Sequence, residues 1–162
     1  MTGFCLTPYI PYAWQPMGSV IEIPAASHSR RLNVLGFLHQ RNDLYPYVIE
    51  GNIDTSAIVE CFEQFSKQVK KRTYVLLDNA SIHRSQEFIR HIPTWVKRGL
   101  IIKYLPPYSP ELNMIEILWR FIKYHWLPFS AYMSFQSLVQ AVEDILTRFG
   151  TDYTINFQAT RA

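Results

Sequence analysis

The sequence predicts an α/β layer fold, and three observations lead to that prediction. Short runs of strand-forming residues alternate with segments whose apolar residues recur at helical spacing. The predicted order is strand, strand, helix, strand, helix, strand, helix, helix, which is typical of helices packed on a mixed sheet. With 162 residues, 48% hydrophobic and 15% aromatic, the chain is long enough for one domain with a sizeable core. We assign residues 1–150 to this domain and 151–162 to a short C-terminal tail.

Composition excludes several classes of protein. Two cysteines are too few for a disulfide framework or a zinc site, so a reducing cytoplasm is expected. No apolar run reaches membrane length. The N-terminal stretch has no basic residue before Arg30 and carries prolines at 8, 11 and 16, which does not fit a signal peptide. The net charge of +3 permits nucleic-acid binding without requiring it.

The first 50 residues show mostly strand and turn signals. Residues 3–6 read as a strand end, 14–18 as a turn that uses Gly18, and 20–23 as a short strand. The segments 31–39 and 44–50 are both rich in strand formers and are separated by a polar turn. They predict a β-hairpin.

A helix is predicted after this hairpin, with Asp54 or Ser56 as its N-cap. Its apolar face consists of Ile58, Phe62, Phe65 and Val69. Its C-terminal end is basic, with Lys67, Lys70, Lys71 and Arg72. A solvated end that compensates the helix dipole is the simpler interpretation, and a phosphate-contacting patch is the alternative.

Two carboxylates stand at the ends of predicted elements in the centre of the chain. Residues 73–78 form a short buried strand that ends in Asp78. A second strand, 100–105, runs into a proline-rich loop that leads to Glu116 in the first turn of a helix. Ligands usually bind at the carboxyl ends of strands in an open α/β sheet. Two acids that converge there predict a metal site for phosphate chemistry.

Each acid also has a simpler interpretation. Glu116 follows Asn113 at the spacing of a capping box. Asp78 can cap the turn after its strand. Taken singly, capping is the favoured role of either acid; their combination in one pattern favours the metal site.

The remaining segments predict helices. Pro93 should kink the segment 85–98 or begin a second helix, and Gly99 should end it. The helix from Asn113 to about Trp126 has a core stripe of Ile115, Trp119, Ile122 and Trp126, flanked by Glu116, Arg120 and Lys123. Ser134 caps a last helix that ends at Gly150, with Phe135, Leu138, Val142, Ile145 and Phe149 at helical spacing.

Two motifs carry a family resemblance. They are Leu-Asp-Asn-Ala-Ser-Ile-His at 77–83 and Leu-Pro-Pro-Tyr-Ser-Pro-Glu-Leu-Asn-Met-Ile-Glu-Ile-Leu-Trp at 105–119. Together they resemble the catalytic core of mariner-type transposases, and most closely the bacterial insertion-sequence branch. The resemblance implies a ribonuclease H-like mixed sheet flanked by helices, with an Asp-Asp-Glu triad that binds two magnesium or manganese ions. Asp78 is then the second acid and Glu116 the third.

The resemblance also implies roles for other residues. Asn79 and Asn113 are candidates to orient the metal ligands. His83 is a candidate to orient a water or a phosphate, although a histidine at a helix start is more often structural. The DNA-contact candidates are Lys67, Lys70, Lys71, Arg72, Arg84, Arg120 and Lys123.

The chain departs from the family pattern at its N-terminus. Residues 1–4 stand where the first strand and its Asp should end, and no acid occurs before Glu22. The first strand is therefore expected to be missing or incomplete, and the helix-turn-helix region of the family is also missing from these residues. We expect the isolated chain to be inactive.

The sequence is compatible with three functions. The first is the catalytic part of a DNA transposase that needs an upstream fragment with the first Asp and the DNA-binding region. The second is a decayed remnant that only binds DNA weakly. The third is an unrelated metal-dependent nuclease or phosphatase.

The expected partners are transposon-end and target DNA, the upstream fragment and a second copy in a homodimer, without a membrane. The expected location is the bacterial cytoplasm, at the nucleoid when bound.

Overall fold

The structure is a computed structural model that describes residues 1–7, 18, 30–107, 109 and 112–157. Most of the predicted turn at 14–18 and the whole predicted strand at 20–23 lie outside the described residues. The strands are β1 (Thr2–Phe4), β2 (Leu32–His39), β3 (Asp43–Glu50), β4 (Thr73–Leu77) and β5 (Leu100–Tyr104). The helices are α1 (Thr55–Gln68), α2 (Gln86–Lys97), α3 (Met114–Phe121) and α4 (Phe135–Thr147). This order confirms the predicted α/β class.

The strands form two sheets in the described part of the chain, where a single mixed sheet was expected. β1, β2 and β3 are antiparallel neighbours in that order, and β4 pairs with β5 in parallel. β1 is so short that it covers only Leu32–Val34 of β2. Along 35–39, the edge of β2 that faces away from β3 therefore has no strand partner among the described residues. The same holds for the edge of β4 that faces away from β5.

Strand β2 separates two hydrophobic clusters. Successive side chains of a strand point to opposite faces, and both faces of β2 are buried. Leu32 and Val34 pack in a first cluster with α3 and α4. Leu35 and Phe37 pack in a second cluster with α1 and α2. Because β2 contributes to both clusters, it is the central element of the fold.

Helices α1 and α2 are joined by polar contacts as well as by their apolar faces. Asp54 caps α1 by accepting a hydrogen bond from the backbone N–H of Ala57 at 2.8 Å. Glu63 accepts hydrogen bonds from the Trp95 indole at 3.1 Å and from Arg98 at 2.6 Å. Pro93 lies inside α2, and no second helix begins there. Glu63 therefore joins α1 to the end of α2.

Helix α3 continues as a π-helical turn over Ile122–Trp126, where a regular helix was expected. Its most buried residues are Leu118, Trp119 and Ile122. Leu118 was not in the predicted stripe, whereas Ile115 and Trp126 are only partly buried. In the part of the chain that the structure describes, no helix has both the length and the apolar character to cross a membrane.

The segment after α4 belongs to the core, although its sequence carries no such signal. Ser134 caps α4 as predicted, accepting from the backbone N–H of Ser137 at 3.0 Å. Ile155 and Phe157 are both buried in the first cluster. The Asn42 side chain in the β2–β3 turn holds this segment, because it donates to the Ile155 carbonyl at 3.2 Å and accepts from the Ile155 N–H at 2.8 Å.

Gly150 and Gly51 form a matched pair for a stability test. Both have positive φ, +92° and +91°, which is unfavourable for a residue with a Cβ. A Cβ at Gly150 would lie 2.7 Å from the Asn42 carbonyl oxygen, whereas one at Gly51 would meet nothing within 4 Å. We expect Gly51→Ala to lower the free energy of unfolding by about 1–2 kcal/mol through its backbone alone.

Gly150→Ala should lower the free energy of unfolding clearly more than Gly51→Ala, because the backbone around Asn42 must also shift. Urea denaturation followed by circular dichroism measures both. Equal losses would show that the β2–β3 turn and the end of α4 are not packed as described.

Candidate active site

Asp78 lies directly after β4 and forms a turn with the residues that follow. Its Oδ1 accepts a hydrogen bond from the backbone N–H of Ala80 at 3.2 Å. The predicted turn-capping role is therefore present. The side chain is still 49% exposed, so this role leaves the carboxylate accessible to a ligand.

His83 lies beside Asp78 in a short 3₁₀ helix, Ser81–Arg84. Its Nε2 is 3.5 Å from Asp78 Oδ1, and its imidazole side chain is only 11% exposed. The ring packs against Phe88 with a centroid distance of 5.5 Å. Burial lowers the pKa of His83 from its ordinary value, and the Asp78 carboxylate opposes that shift. The imidazole is therefore neutral near pH 7.

The C-terminal end of β5 anchors the loop that carries Asp78. Asn79 donates from its side chain to the Leu105 carbonyl at 2.7 Å. The Tyr104 hydroxyl donates to the His83 carbonyl at 2.7 Å. Arg84 donates to the Asn79 side chain and lies 5.1 Å from the centroid of the Tyr104 ring. The loop after β4 is thus bonded to the start of the chain segment that leads to Glu116.

Glu116 lies in the first turn of α3. Its backbone N–H donates to the Asn113 carbonyl at 3.0 Å. The Asn113 side chain makes no capping hydrogen bond at this helix start. The Asn113 half of the proposed capping box is therefore not formed, and a simple capping role explains Glu116 less well than it explains Asp78.

Both acids influence the pKa of one amino group. Burial lowers the pKa of the Met1 α-amino group from its ordinary value of 8.0, while Glu116 and Asp78 both act to raise it. Burial also lowers the pKa of Lys123, and Glu116 again opposes the shift. Glu116 and Asp78 thus both contribute to the pKa of the amino group that directly precedes β1.

The basic candidates fall into separate groups. Arg84 is next to His83, and Lys123 lies over the Phe4 ring at 5.6 Å from its centroid. Arg72 directly precedes β4, whereas Asp78 directly follows it. The five residues of this extended strand separate the two positions by roughly 20 Å. Lys67 pairs with Glu63 at 3.6 Å within α1.

Sequence reasoning missed one residue of this region. Tyr104 contacts both His83 and Arg84, and it is the last residue of β5. Its position at the carboxyl end of a strand beside the Asp78 strand was the available signal.

An open cavity of about 580 Å³ lies elsewhere, lined by Gln40, Arg41, Asn42, Met114 and residues 154–157, and includes none of the predicted site residues.

The described residues offer few ligands for a metal ion. Within the described residues there is no group of three or more His, Cys, Asp or Glu side chains that could hold a metal. Magnesium is often bound by only one or two carboxylates while it keeps several waters and takes substrate phosphates. The oxygen donors of Asp78 and Glu116 therefore fit the chemistry of magnesium, and a third acid must come from outside the described residues if the site has three.

The chain belongs to the DDE superfamily endonuclease family, whose model matches residues 1–139. This finding confirms the coarser part of the resemblance carried by the two motifs, membership of the DDE superfamily. Among curated proteins, the chain is similar to "Uncharacterized protein y4pE/y4sA" of Sinorhizobium fredii (strain NBRC 101917 / NGR234). The two are 27% identical over 88 residues, which is 53% of this chain and 61% of that protein. The match spans less than two thirds of the relative's length.

The two asparagines proposed to orient the acids differ in their contacts, and this difference gives a test. Asn79→Ala removes the bond to the Leu105 carbonyl, and we expect a loss of about 1–2 kcal/mol in the free energy of unfolding. Amide hydrogen exchange should become faster across residues 78–84. Asn113→Ala is the control, since that side chain makes no capping bond. A loss as large for the control as for Asn79→Ala would contradict the anchoring role.

Proposed function

We propose that this chain is the catalytic domain of a DNA transposase that cleaves DNA and transfers strands by metal-dependent phosphoryl transfer. Membership of the DDE superfamily endonuclease family supports a nuclease that acts on DNA. The observation that carries the proposal is the placement of the two acids, with Asp78 directly after β4 and Glu116 in the first turn of α3. The loop that carries Asp78 is bonded through Asn79 to Leu105, where the segment that leads to Glu116 begins. Acids at a strand end and a helix start on joined segments are suited to share a metal site.

In this proposal Asp78 and Glu116 hold magnesium or manganese, two ions in the complete site. Bound divalent ions supply charge stabilisation of the attacking and leaving oxygens of the phosphodiester. The residues of the chain orient the ligands: Ala80 and His83 fix one oxygen of Asp78. Asn79 fixes its loop to Leu105. Arg84 and Lys123 are the basic groups near these acids and are proposed to contact DNA phosphates.

We also propose a ribonuclease H-like sheet that is completed by a strand from outside residues 1–162, with the first Asp of the triad. The support is that neither β2 along 35–39 nor the outer edge of β4 has a strand partner in the part of the chain that the structure describes. Leu35 and Phe37 of β2 pack in the same cluster as Val75 and Leu77 of β4. A strand placed between these edges would pair their unpaired backbone groups.

A second candidate function is weak DNA binding by a non-catalytic remnant. The observation that favours it is the lack of a three-ligand group among the described residues. The two candidates differ in metal dependence. A remnant would bind DNA in the presence of a chelator, whereas a transposase domain with a completed site should nick DNA only with a divalent metal.

Activity should depend on both acids and on the added strand. We expect residues 1–162 alone to be inactive on a matched transposon end with Mg²⁺ or Mn²⁺. An upstream peptide that restores a strand ending in Asp should produce nicking, and Asp78→Asn or Glu116→Gln should then reduce it at least about 10³-fold, because an isosteric amide retains shape but not charge. A nicking assay measures this. Robust cleavage by the chain alone would contradict the need for the strand.

DNA affinity should be weak and sequence-tolerant. The candidate phosphate contacts are few, so log K should fall with log salt at a slope of roughly −0.9 for each phosphate neutralised. Arg84→Gln should reduce that slope by about one, because it removes one contact. Glu87→Gln, at the start of α2, is the control, because it removes no basic group and should therefore not reduce the slope. Fluorescence anisotropy on two unrelated duplexes measures both, and a strong preference for one duplex would contradict the prediction.

A further inference from the structure

We propose that His83 is a positioning residue that fixes the rotation of the Asp78 carboxylate and so presents its second oxygen to the metal. The inference rests on the proposed function, in which Asp78 binds metal. It assigns His83 a different role from the one that the sequence suggested, which was contact with water or phosphate. His83 acts on the reaction only through Asp78.

The first observation is that the two oxygens of Asp78 have different surroundings. Oδ1 accepts from the Ala80 N–H at 3.2 Å and contacts His83 Nε2 at 3.5 Å. No hydrogen bond reaches Oδ2 from the residues that the structure describes. Because both groups contact Oδ1, they restrict the rotation of the carboxylate. In the half-exposed side chain, Oδ2 is then the oxygen left for a ligand.

The second observation fixes which ring nitrogen carries the hydrogen. His83 Nδ1 is buried and has no hydrogen-bond partner in the described part of the chain. A buried, unpaired N–H is more costly than a buried lone pair, because a lost donor forfeits a stronger interaction with water. The hydrogen therefore belongs on Nε2, which faces Asp78. In this tautomer the Nε2–H group lies beside Asp78 Oδ1, at a nitrogen–oxygen distance of 3.5 Å.

The third observation is that His83 itself is held in place. Its ring packs against Phe88 and, at a centroid distance of 6.5 Å, against Phe62. Its backbone N–H donates to the Ala80 carbonyl at 3.0 Å, and its carbonyl accepts from Tyr104 at 2.7 Å. A donor fixed on the ring and on the backbone loses little entropy when it holds Asp78.

The chain contains a comparison for this contact. His39 Nδ1 also lies 3.5 Å from a carboxylate, that of Asp43, but the two side chains are 57% and 65% exposed. Exposed pairs contribute little, because water screens them and the side chains remain mobile. The same separation therefore has a different effect at His83, whose ring is buried. His39 supplies a matched control.

The experiment measures Mn²⁺ affinity of the full chain by electron paramagnetic resonance, so that it does not depend on activity. The variants are His83→Phe, which keeps the packing and removes the donor, and His83→Gln, whose amide N–H replaces Nε2–H. Tyr104→Phe removes only the hydroxyl that holds the His83 carbonyl. His39→Phe is the control. Thermal unfolding of each variant reports folding separately.

We expect His83→Phe to weaken Mn²⁺ binding about tenfold, the lower end of the range for residues that orient metal ligands. His83→Gln should recover most of this loss, Tyr104→Phe should show a smaller loss, and His39→Phe should bind like the unchanged chain. If His83→Phe unfolds, the Mn²⁺ affinities of His83→Gln and Tyr104→Phe, compared with that of His39→Phe, still test whether His83 positions Asp78.

Two results would overturn the inference in distinguishable ways. If Mn²⁺ binds and Asp78→Asn abolishes binding, but His83→Phe binds as tightly as the unchanged chain, then His83 does not position Asp78. The same conclusion follows if folded His83→Gln binds no better than His83→Phe. If Asp78→Asn leaves Mn²⁺ binding unchanged, the proposed function fails, and the positioning role fails with it.

Discussion

The candidate site depends on the hydrogen bonds that join the loop after β4 to the end of β5. Asn79 reaches the Leu105 carbonyl and Tyr104 reaches the His83 carbonyl, both at 2.7 Å. Parallel pairing of β4 and β5 places Leu77 beside Tyr104, so both loops leave the sheet at the same edge. The two side-chain bonds then fix the loops to each other. Without them, the position of Asp78 would depend on an exposed turn alone.

This anchoring explains how an exposed acid can have a defined geometry. Asp78 is half exposed, and exposed carboxylates normally rotate freely. Its neighbours are better held than it is, because His83 is buried among aromatic rings and its backbone is bonded on both sides. The buried ring of His83 thus links the hydrophobic core to the exposed Asp78 carboxylate. Such outer residues commonly determine how metal ligands are oriented.

The open strand edges set a second constraint. β2 is buried on both faces, and among the described residues it has no strand partner at one edge along 35–39, nor does β4 at the edge that faces away from β5. Side chains from both strands share one hydrophobic cluster, so the two sheets belong to one packed unit although no described strand joins them. Unpaired edges favour association with another strand. The stability and the chemistry of this domain are therefore proposed to depend on the same added segment.

Much of the local structure was determined by the sequence itself. The β2–β3 hairpin, the capped starts of α1 and α4 and the strand that ends in Asp78 follow from alternation, capping residues and apolar spacing, which act over a few neighbouring residues. The motifs at 77–83 and 105–119 identified the family. Only the tertiary structure decided which residues meet across long separations. Tyr104 contacts His83, Ile155 is held by Asn42, and Leu118 replaces part of the predicted stripe. These outcomes depend on how whole elements pack, and packing free energy is not encoded in any one short segment.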